Sequence, residues 1–178
     1  PQKGATPAMV KGIDSCLDNF SKLSKEFFPD KADAEISGTG AACGLGFAFL
    51  TYTNSELKPG IEIIAKAINL EESIKDADIV VTGEGRMDAQ TAMGKVPGGV
   101  AKIAKKYGKP VIAFAGSASQ EASECNKFGI DAYFSILHEL TSLEEAMNTA
   151  NAKANLSSTA EQVFKIYEIC RQFVISTE

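Results

Sequence analysis

Apolar residues recur at helical spacing in the first part of the chain, which has 178 residues. Between Val10 and Leu23 they are three or four positions apart, and this spacing predicts an amphipathic helix over residues 7–25. A glycine-rich segment at residues 38–46 leads into an apolar stretch that begins at Phe47. This order predicts a tight loop that opens a buried helix.

From residue 76 the pattern changes to short apolar runs that are rich in β-branched and aromatic residues. These runs, at residues 77–82, 110–115 and 132–136, predict three buried strands. Helices are predicted between and after them, over residues 97–107, 119–128, 141–154 and 157–173. Strands that alternate with helices favour a parallel sheet. The sequence therefore predicts an α/β fold with at least three parallel strands and a domain boundary near residues 70–76.

Composition narrows the class of protein. With 44% hydrophobic and 23% charged residues, the chain is typical of a soluble globular protein. The net charge is -5 and no basic cluster occurs, so we expect no nucleic-acid partner. No apolar run reaches the roughly 18 residues that a membrane span needs. The widely spaced Cys16, Cys43, Cys125 and Cys170 are interpreted as reduced thiols of a cytoplasmic protein.

The densest polar segment, Thr82–Lys95, follows the first predicted strand. Ligands of parallel sheets gather beyond the carboxyl ends of the strands, so we expect an anion-handling active-site loop here. Arginine and lysine can bind phosphate or carboxylate oxygens, and carboxylates can hold Mg²⁺ or accept a proton. The alternative is a polar surface loop whose charges pair with each other. The residues concerned are Gly83, Glu84, Gly85, Arg86, Asp88 and Lys95.

Three weaker candidates lie elsewhere. Gly116 and Ser117 follow the second predicted strand and can hydrogen-bond a nucleotide or simply form a turn. The segment 38–46 can bind an anion at a helix N-terminus or pack closely through its small residues, and the sequence favours neither. His138 lies at the end of the third predicted strand, where a structural or solvent-facing role is the better interpretation because no nucleophile or orienting partner accompanies it.

Two known phosphate-binding motifs are excluded, one by residue identity and one by spacing. A P-loop would need glycine at position 89 and a hydroxyl residue at position 96, where this chain has Ala89 and Val96. The glycines at 38, 40, 44 and 46 do not have dinucleotide-fingerprint spacing, and no convincing strand precedes them. The interpretation of the chain as an NAD-dependent oxidoreductase therefore rests on fold analogy alone.

The segment Gly83–Asp88, with Gln90-Thr91 and Gly94–Pro97 after it, resembles the signature of the bacterial glycerate kinase family. Members of this two-domain family use ATP to phosphorylate D-glycerate. Segments 1–7, 38–46 and 57–61 resemble further motifs of the family, in the same order. The resemblance therefore extends over nearly the whole chain.

The resemblance implies a Rossmann-like three-layer α/β domain, of which residues 73–178 are the C-terminal part. Residues 1–72 would belong to an inserted second α/β domain. Family members are roughly twice as long as this chain, as expected of two domains. We therefore expect the chain to be a C-terminal portion, with the N-terminal half of the same protein as a partner and a homo-oligomer as a further possibility.

The resemblance also implies the cofactors ATP and Mg²⁺ and the roles of the residues. Glu84, Arg86, Asp88 and Lys95 would be catalytic, with Glu84 and Asp88 as magnesium ligands. Substrate or phosphate would be bound by Gly38, Thr39, Gly40, Gly83, Gly85, Gln90, Thr91, Gly116 and Ser117. The isolated chain is expected to lack efficient catalysis. The alternative is a non-catalytic α/β module that binds a nucleotide or anion.

Overall fold

The computed structural model describes residues 4–88, 91 and 95–175. The chain forms two compact units, residues 1–60 and 61–178. The assignment of residues 1–72 and 73–178 to two domains stays a prediction. Within the described part of the chain, every helix is too short or too polar to cross a membrane.

The first unit contains helices α1 (Pro7–Phe27) and α2 (Ala41–Tyr52). The predicted amphipathic helix is confirmed as α1, which begins where the Thr6 hydroxyl accepts a hydrogen bond from the Met9 N–H at 3.3 Å. One face of α1 packs on α2 through the Tyr52 ring, which lies 6.0 Å from that of Phe20. Ser24 Oγ lies 2.9 Å from Tyr52 Oη in the same contact.

The start of α2 departs from regular helix. Ala42, Cys43 and Gly44 have φ values of 50°, 59° and 89°, in the left-handed region. Regular helical geometry therefore follows Gly44, which agrees with the predicted loop that opens a helix.

The second unit contains the sheet. Its helices are α3 (Gly60–Ala67, which starts at the boundary), α4 (Leu70–Lys75), α5 (Val96–Lys106), α6 (Leu143–Met147) and α7 (Thr149–Ile175), with a 3₁₀ helix at Gln120–Phe128. The predicted break near residues 154–157 is wrong. α7 runs through it from Thr149, because the Asn148 side chain accepts hydrogen bonds from the N–H groups of Ala150 and Asn151 and caps the helix start.

Three parallel strands form the sheet in the order β1-β2-β3, which confirms the predicted fold class. The strands are β1 (Val80–Met87), β2 (Val111–Ala118) and β3 (Ala132–Ser135). The core lies between the sheet and its helices and includes Met87, Ala101, Ala104, Val111, Ala113 and Ala122, all fully buried. In the described residues β1 pairs with β2 alone, and Val81 on β1 is 47% exposed.

Two strands are longer than predicted. β1 was expected to end at Thr82 and β2 at Ala115, but the ladder between them continues through the pairs Arg86–Ser117 and Met87–Ala118. Glycine and charged residues have low strand propensity, yet pairing with a neighbouring strand overrides that preference. The segment Gly83–Met87 is therefore strand, and the loop begins at Asp88.

Candidate active site at the carboxyl end of the sheet

Glu84 and Arg86 lie on one face of β1, because side chains two positions apart in a strand share a face. Glu84 pairs with Ala115 of β2 and Arg86 with Ser117. Asp88 follows directly beyond the strand end. The structure thus brings the predicted acidic and basic groups of β1 together at the carboxyl edge of the sheet.

Thr91 ties the start of the loop to the strand. Its side chain is fully buried. Its hydroxyl donates a short hydrogen bond to Glu84 Oε1 and accepts one from the Asp88 N–H at 3.1 Å. The Thr91 N–H in turn donates to the Asp88 carbonyl at 3.0 Å. The hydroxyl is thus used within the protein, and its predicted ligand contact stays a prediction. Gln90 lies outside the described residues.

Lys95 completes the cluster from the far end of the loop. It is the N-cap residue of α5, and its Nζ lies 3.9 Å from Asp88 Oδ1. The Lys95 side chain is 44% exposed and that of Asp88 31%. A half-exposed pair at this distance is weak, so the lysine can turn towards an anion at little cost.

Glu121 is a further acidic residue near the cluster that the sequence interpretation did not single out. It lies in the first turn of the 3₁₀ helix that follows β2. The nearby Ser119 side chain and, further, the charge of Arg86 lower the pKa of Glu121, whereas Asp88 raises it. Its place directly after a strand end was the available signal, but nothing in sequence spacing pairs it with Arg86.

Cys125 lies behind the cluster and is fully buried. Burial raises the pKa of its thiol, and the negative charges of Glu84 and Asp88 raise it further. The thiol is therefore neutral at physiological pH and acts as an apolar neighbour of the two carboxylates.

The glycines of this region differ in surroundings. A Cβ on Gly83 would lie 2.4 Å from the Phe114 carbonyl oxygen, so Gly83 is required by close strand contact. A Cβ on Gly85 would meet nothing within 4 Å. The space beside Gly85 is therefore open, but it lies on the face of β1 opposite to the side chains of Glu84 and Arg86. The predicted ligand contact of Gly85 stays a prediction.

Gly116 and Ser117 belong to β2 rather than to a turn. The Gly116 carbonyl accepts a hydrogen bond of 3.4 Å from Ser135 Oγ, and Ser117 is half-buried opposite Arg86. Both therefore lie at the same sheet edge as the charged cluster, although their contact with a ligand is untested.

The segment with Gly38, Thr39 and Gly40 lies in the first unit. The Thr39 hydroxyl donates to the carbonyl oxygens of Ala34 and Ile36 at 2.7 and 2.8 Å. A Cβ on Gly46 would lie 2.3 Å from the Gly38 carbonyl oxygen. These contacts favour the close-packing interpretation of the segment, and its anion-binding role stays a prediction.

The donor set suits magnesium better than a metal that needs several protein ligands. Among the described residues, no three His, Cys, Asp or Glu side chains form a metal-binding group. Mg²⁺ is usually held by one or two carboxylates together with substrate phosphates. Glu84 and Asp88 can supply those two carboxylates.

The sequence of the chain is similar to those of known proteins. The sequence model of the glycerate kinase family matches residues 1–168. The chain is 44% identical over 165 residues to glycerate 2-kinase of Escherichia coli strain K12 and 47% identical over 152 residues to glycerate kinase of Halalkalibacterium halodurans. These matches cover 89% and 85% of this chain but 43% and 40% of the relatives, so the chain spans less than half of their length.

A solved structure is also similar. The crystal structure of a protein assigned as glycerate kinase 2 from Salmonella typhimurium LT2 superposes with a TM-score of 0.66 at 40% sequence identity. The match covers 97% of this chain and 43% of that one.

Proposed function

Because this chain belongs to the glycerate kinase family, we propose that it contributes charged residues to the active site of an ATP-dependent glycerate kinase. The reaction transfers the γ-phosphoryl group of ATP to a hydroxyl of D-glycerate and gives phosphoglycerate and ADP. One observation carries the proposal: Glu84, Arg86, Asp88 and Lys95 lie together at the carboxyl edge of a parallel sheet.

Charge stabilisation and positioning account for most of the catalysis in phosphoryl transfer. Arg86 is exposed at the strand end and would bind phosphate or glycerate carboxylate oxygens through its planar fork. Lys95 would act on the same anions as a point charge from the start of α5.

The two carboxylates would divide the remaining work. Glu84 is held by the Thr91 hydroxyl, and Asp88 lies at the strand end beside Lys95. Together they would hold Mg²⁺, which supplies positive charge to the phosphates, or accept the proton of the attacking hydroxyl. Gln90, Thr91, Gly116 and Ser117 would contact substrate or phosphate. The name of the E. coli relative supports transfer to the 2-hydroxyl, and we place the reaction in the cytoplasm.

A chimaera tests this function. The matched 165 residues of E. coli glycerate 2-kinase are replaced by those of this chain, and the product formed from ATP and D-glycerate is identified by ³¹P NMR. We expect 2-phosphoglycerate, at a rate that the double substitution Arg86→Ala and Asp88→Asn abolishes. An equally active double variant would contradict the assignment. A folded chimaera that binds ATP without transfer would instead support the non-catalytic nucleotide-binding module.

A further inference from the structure

A pocket lies at the carboxyl end of β3, outside the charged cluster. Its volume of about 460 Å³ is in the range of small-molecule sites. The segment after β3 and the helices α6 and α7 line it with both apolar and polar side chains. They include Leu137, His138, Leu140, Asn151, Ala154 and Asn155.

Hydrogen bonds connect this pocket to the strand that carries Gly116 and Ser117. The Ile136 N–H donates to the Ala115 carbonyl at 2.8 Å, and Ser135 Oγ donates to the Gly116 carbonyl at 3.4 Å. The Leu137 N–H then donates to Ser135 Oγ at 3.3 Å. The pocket therefore begins at a residue anchored next to Gly116, on the same edge of the sheet as the charged cluster.

The charges of the pocket disfavour an anionic ligand. Glu139 and Glu145 line it, and the described lining residues include neither lysine nor arginine. A phosphate or carboxylate would be repelled there, whereas a neutral ring could rest against the apolar side chains of Leu137, Leu140 and Ala154. The pocket is thus suited to an uncharged part of a ligand whose anionic part lies elsewhere.

Asn155 offers the specific polar contact. The Asn151 side chain donates to the Glu145 carbonyl at 3.1 Å, and His138 Nε2 lies 2.8 Å from Thr159 Oγ1. The half-buried Asn155 side-chain amide, in contrast, has no hydrogen-bond partner among the described residues. An asparagine amide presents a donor and an acceptor side by side, which matches N7 and the N6 amino group of adenine. Guanine presents two acceptors there.

We propose that this pocket binds the adenine base of a nucleotide and that Asn155 hydrogen-bonds its N6 and N7. The phosphates extend from the pocket past Gly116 and Ser117 towards Arg86. The inference rests on the proposed function, since the nucleotide is the ATP of that reaction. Preference for ATP over GTP follows from the donor and acceptor pattern of the amide.

Calorimetric titration of the 178-residue chain tests the proposal with three probes: ATP, GTP and inorganic tripolyphosphate. Asn155→Leu removes the amide at nearly constant size. Ser157→Leu is the matched control, because Ser157 is an exposed polar residue of the same helix and does not line the pocket. Circular dichroism confirms that both variants are folded.

We expect Asn155→Leu to weaken the binding of ATP about tenfold and to abolish the preference for ATP over GTP. The binding of tripolyphosphate should be unchanged. The control should bind all three probes like the unsubstituted chain. Unchanged ATP binding by Asn155→Leu, or equal loss of ATP and tripolyphosphate, would overturn the pocket assignment. If tripolyphosphate binds as tightly as ATP, the assignment of the pocket to adenine is overturned, whereas the proposed phosphate site is not. Binding of none of the probes would overturn the pocket and the proposed nucleotide site together.

Discussion

Gly116 faces Gly85 so closely across the sheet that a Cβ on Gly116 would lie 2.5 Å from the Gly85 carbonyl oxygen. The two positions give a matched pair of substitutions. Gly116→Ala must push β1 and β2 apart, and we expect it to lower the free energy of unfolding by about 2 kcal/mol. Gly85→Ala meets open space and should leave that stability nearly unchanged. Urea denaturation of both variants measures the difference, and equal destabilisation by the two substitutions would contradict this account.

Thr91 should prove important through its hydroxyl rather than its size. Thr91→Val keeps the shape but removes the hydroxyl that accepts from the Asp88 N–H and donates to the Glu84 carboxylate. We expect a loss of about 1–3 kcal/mol in the free energy of unfolding. Thr91→Ser retains the hydroxyl and should recover most of that loss in urea denaturation. A valine variant as stable as the serine variant would refute the hydrogen-bond network.

The contribution of Arg86 to kcat should depend on the planar geometry of its guanidinium as well as on its charge. In the chimaera, Arg86→Ala should lower kcat about 10²–10³-fold, as loss of a donor to a transition-state anion does. Arg86→Lys keeps the charge but cannot form two parallel hydrogen bonds. Its kcat should therefore lie between that of the unsubstituted chimaera and that of Arg86→Ala. Arg171→Ala, on the exposed surface of α7, is the matched control. Full activity of Arg86→Ala would remove Arg86 from the site.

Cysteine accessibility should distinguish Cys125 from the other thiols. Cys16, Cys43 and Cys170 are exposed, and Cys125 is buried with a raised pKa. In the native chain at pH 8 a thiol reagent should modify the three exposed cysteines quickly and the fourth only on unfolding. Absorbance titration with and without denaturant counts the thiols that react in the unfolded and in the native chain. Rapid modification of all four thiols in the native chain would be inconsistent with the packing.

Asp131 should link stability to pH. Burial raises the pKa of its carboxyl, but hydrogen bonds from Lys105 and the Val111 N–H outweigh burial and lower the pKa below its ordinary value of 3.8. A lowered pKa stabilises the fold above the unfolded value, and the stabilisation is lost as pH falls through the folded value.

We therefore expect Asp131→Asn to cost about 1 kcal/mol at pH 7, a value that allows for the half-exposed side chain. The difference from the unsubstituted chain should shrink as pH falls below 3.8 and vanish below the lowered pKa of the folded state. Glu161→Gln, which breaks an exposed ion pair with Lys165, is the control and should show little effect in urea denaturation at either pH. A pH-independent cost of Asp131→Asn would exclude the ionic contribution.

Sequence periodicity predicted the parallel sheet and most helices because burial of apolar side chains leaves a regular spacing. The predicted ends of β1 and β2 were too early, because the strand character of Glu84–Met87 and Gly116–Ala118 depends on the neighbouring strand. The cluster of Glu84, Arg86, Asp88 and Lys95 was predictable because all four are close in sequence. Glu121 and the Asn155 pocket were not, because they depend on which side chains of distant segments meet.

The free edge of β1 has a consequence for the behaviour of the chain in solution. In the described residues its backbone N–H and carbonyl groups on that side have no strand to bond, and Val81 is exposed beside them. Such an edge is a template for a further strand, from the same molecule or from another. Concentrated solutions of the chain will therefore tend to aggregate through strand addition, and a peptide that occupies this edge would act as a solubilising cap.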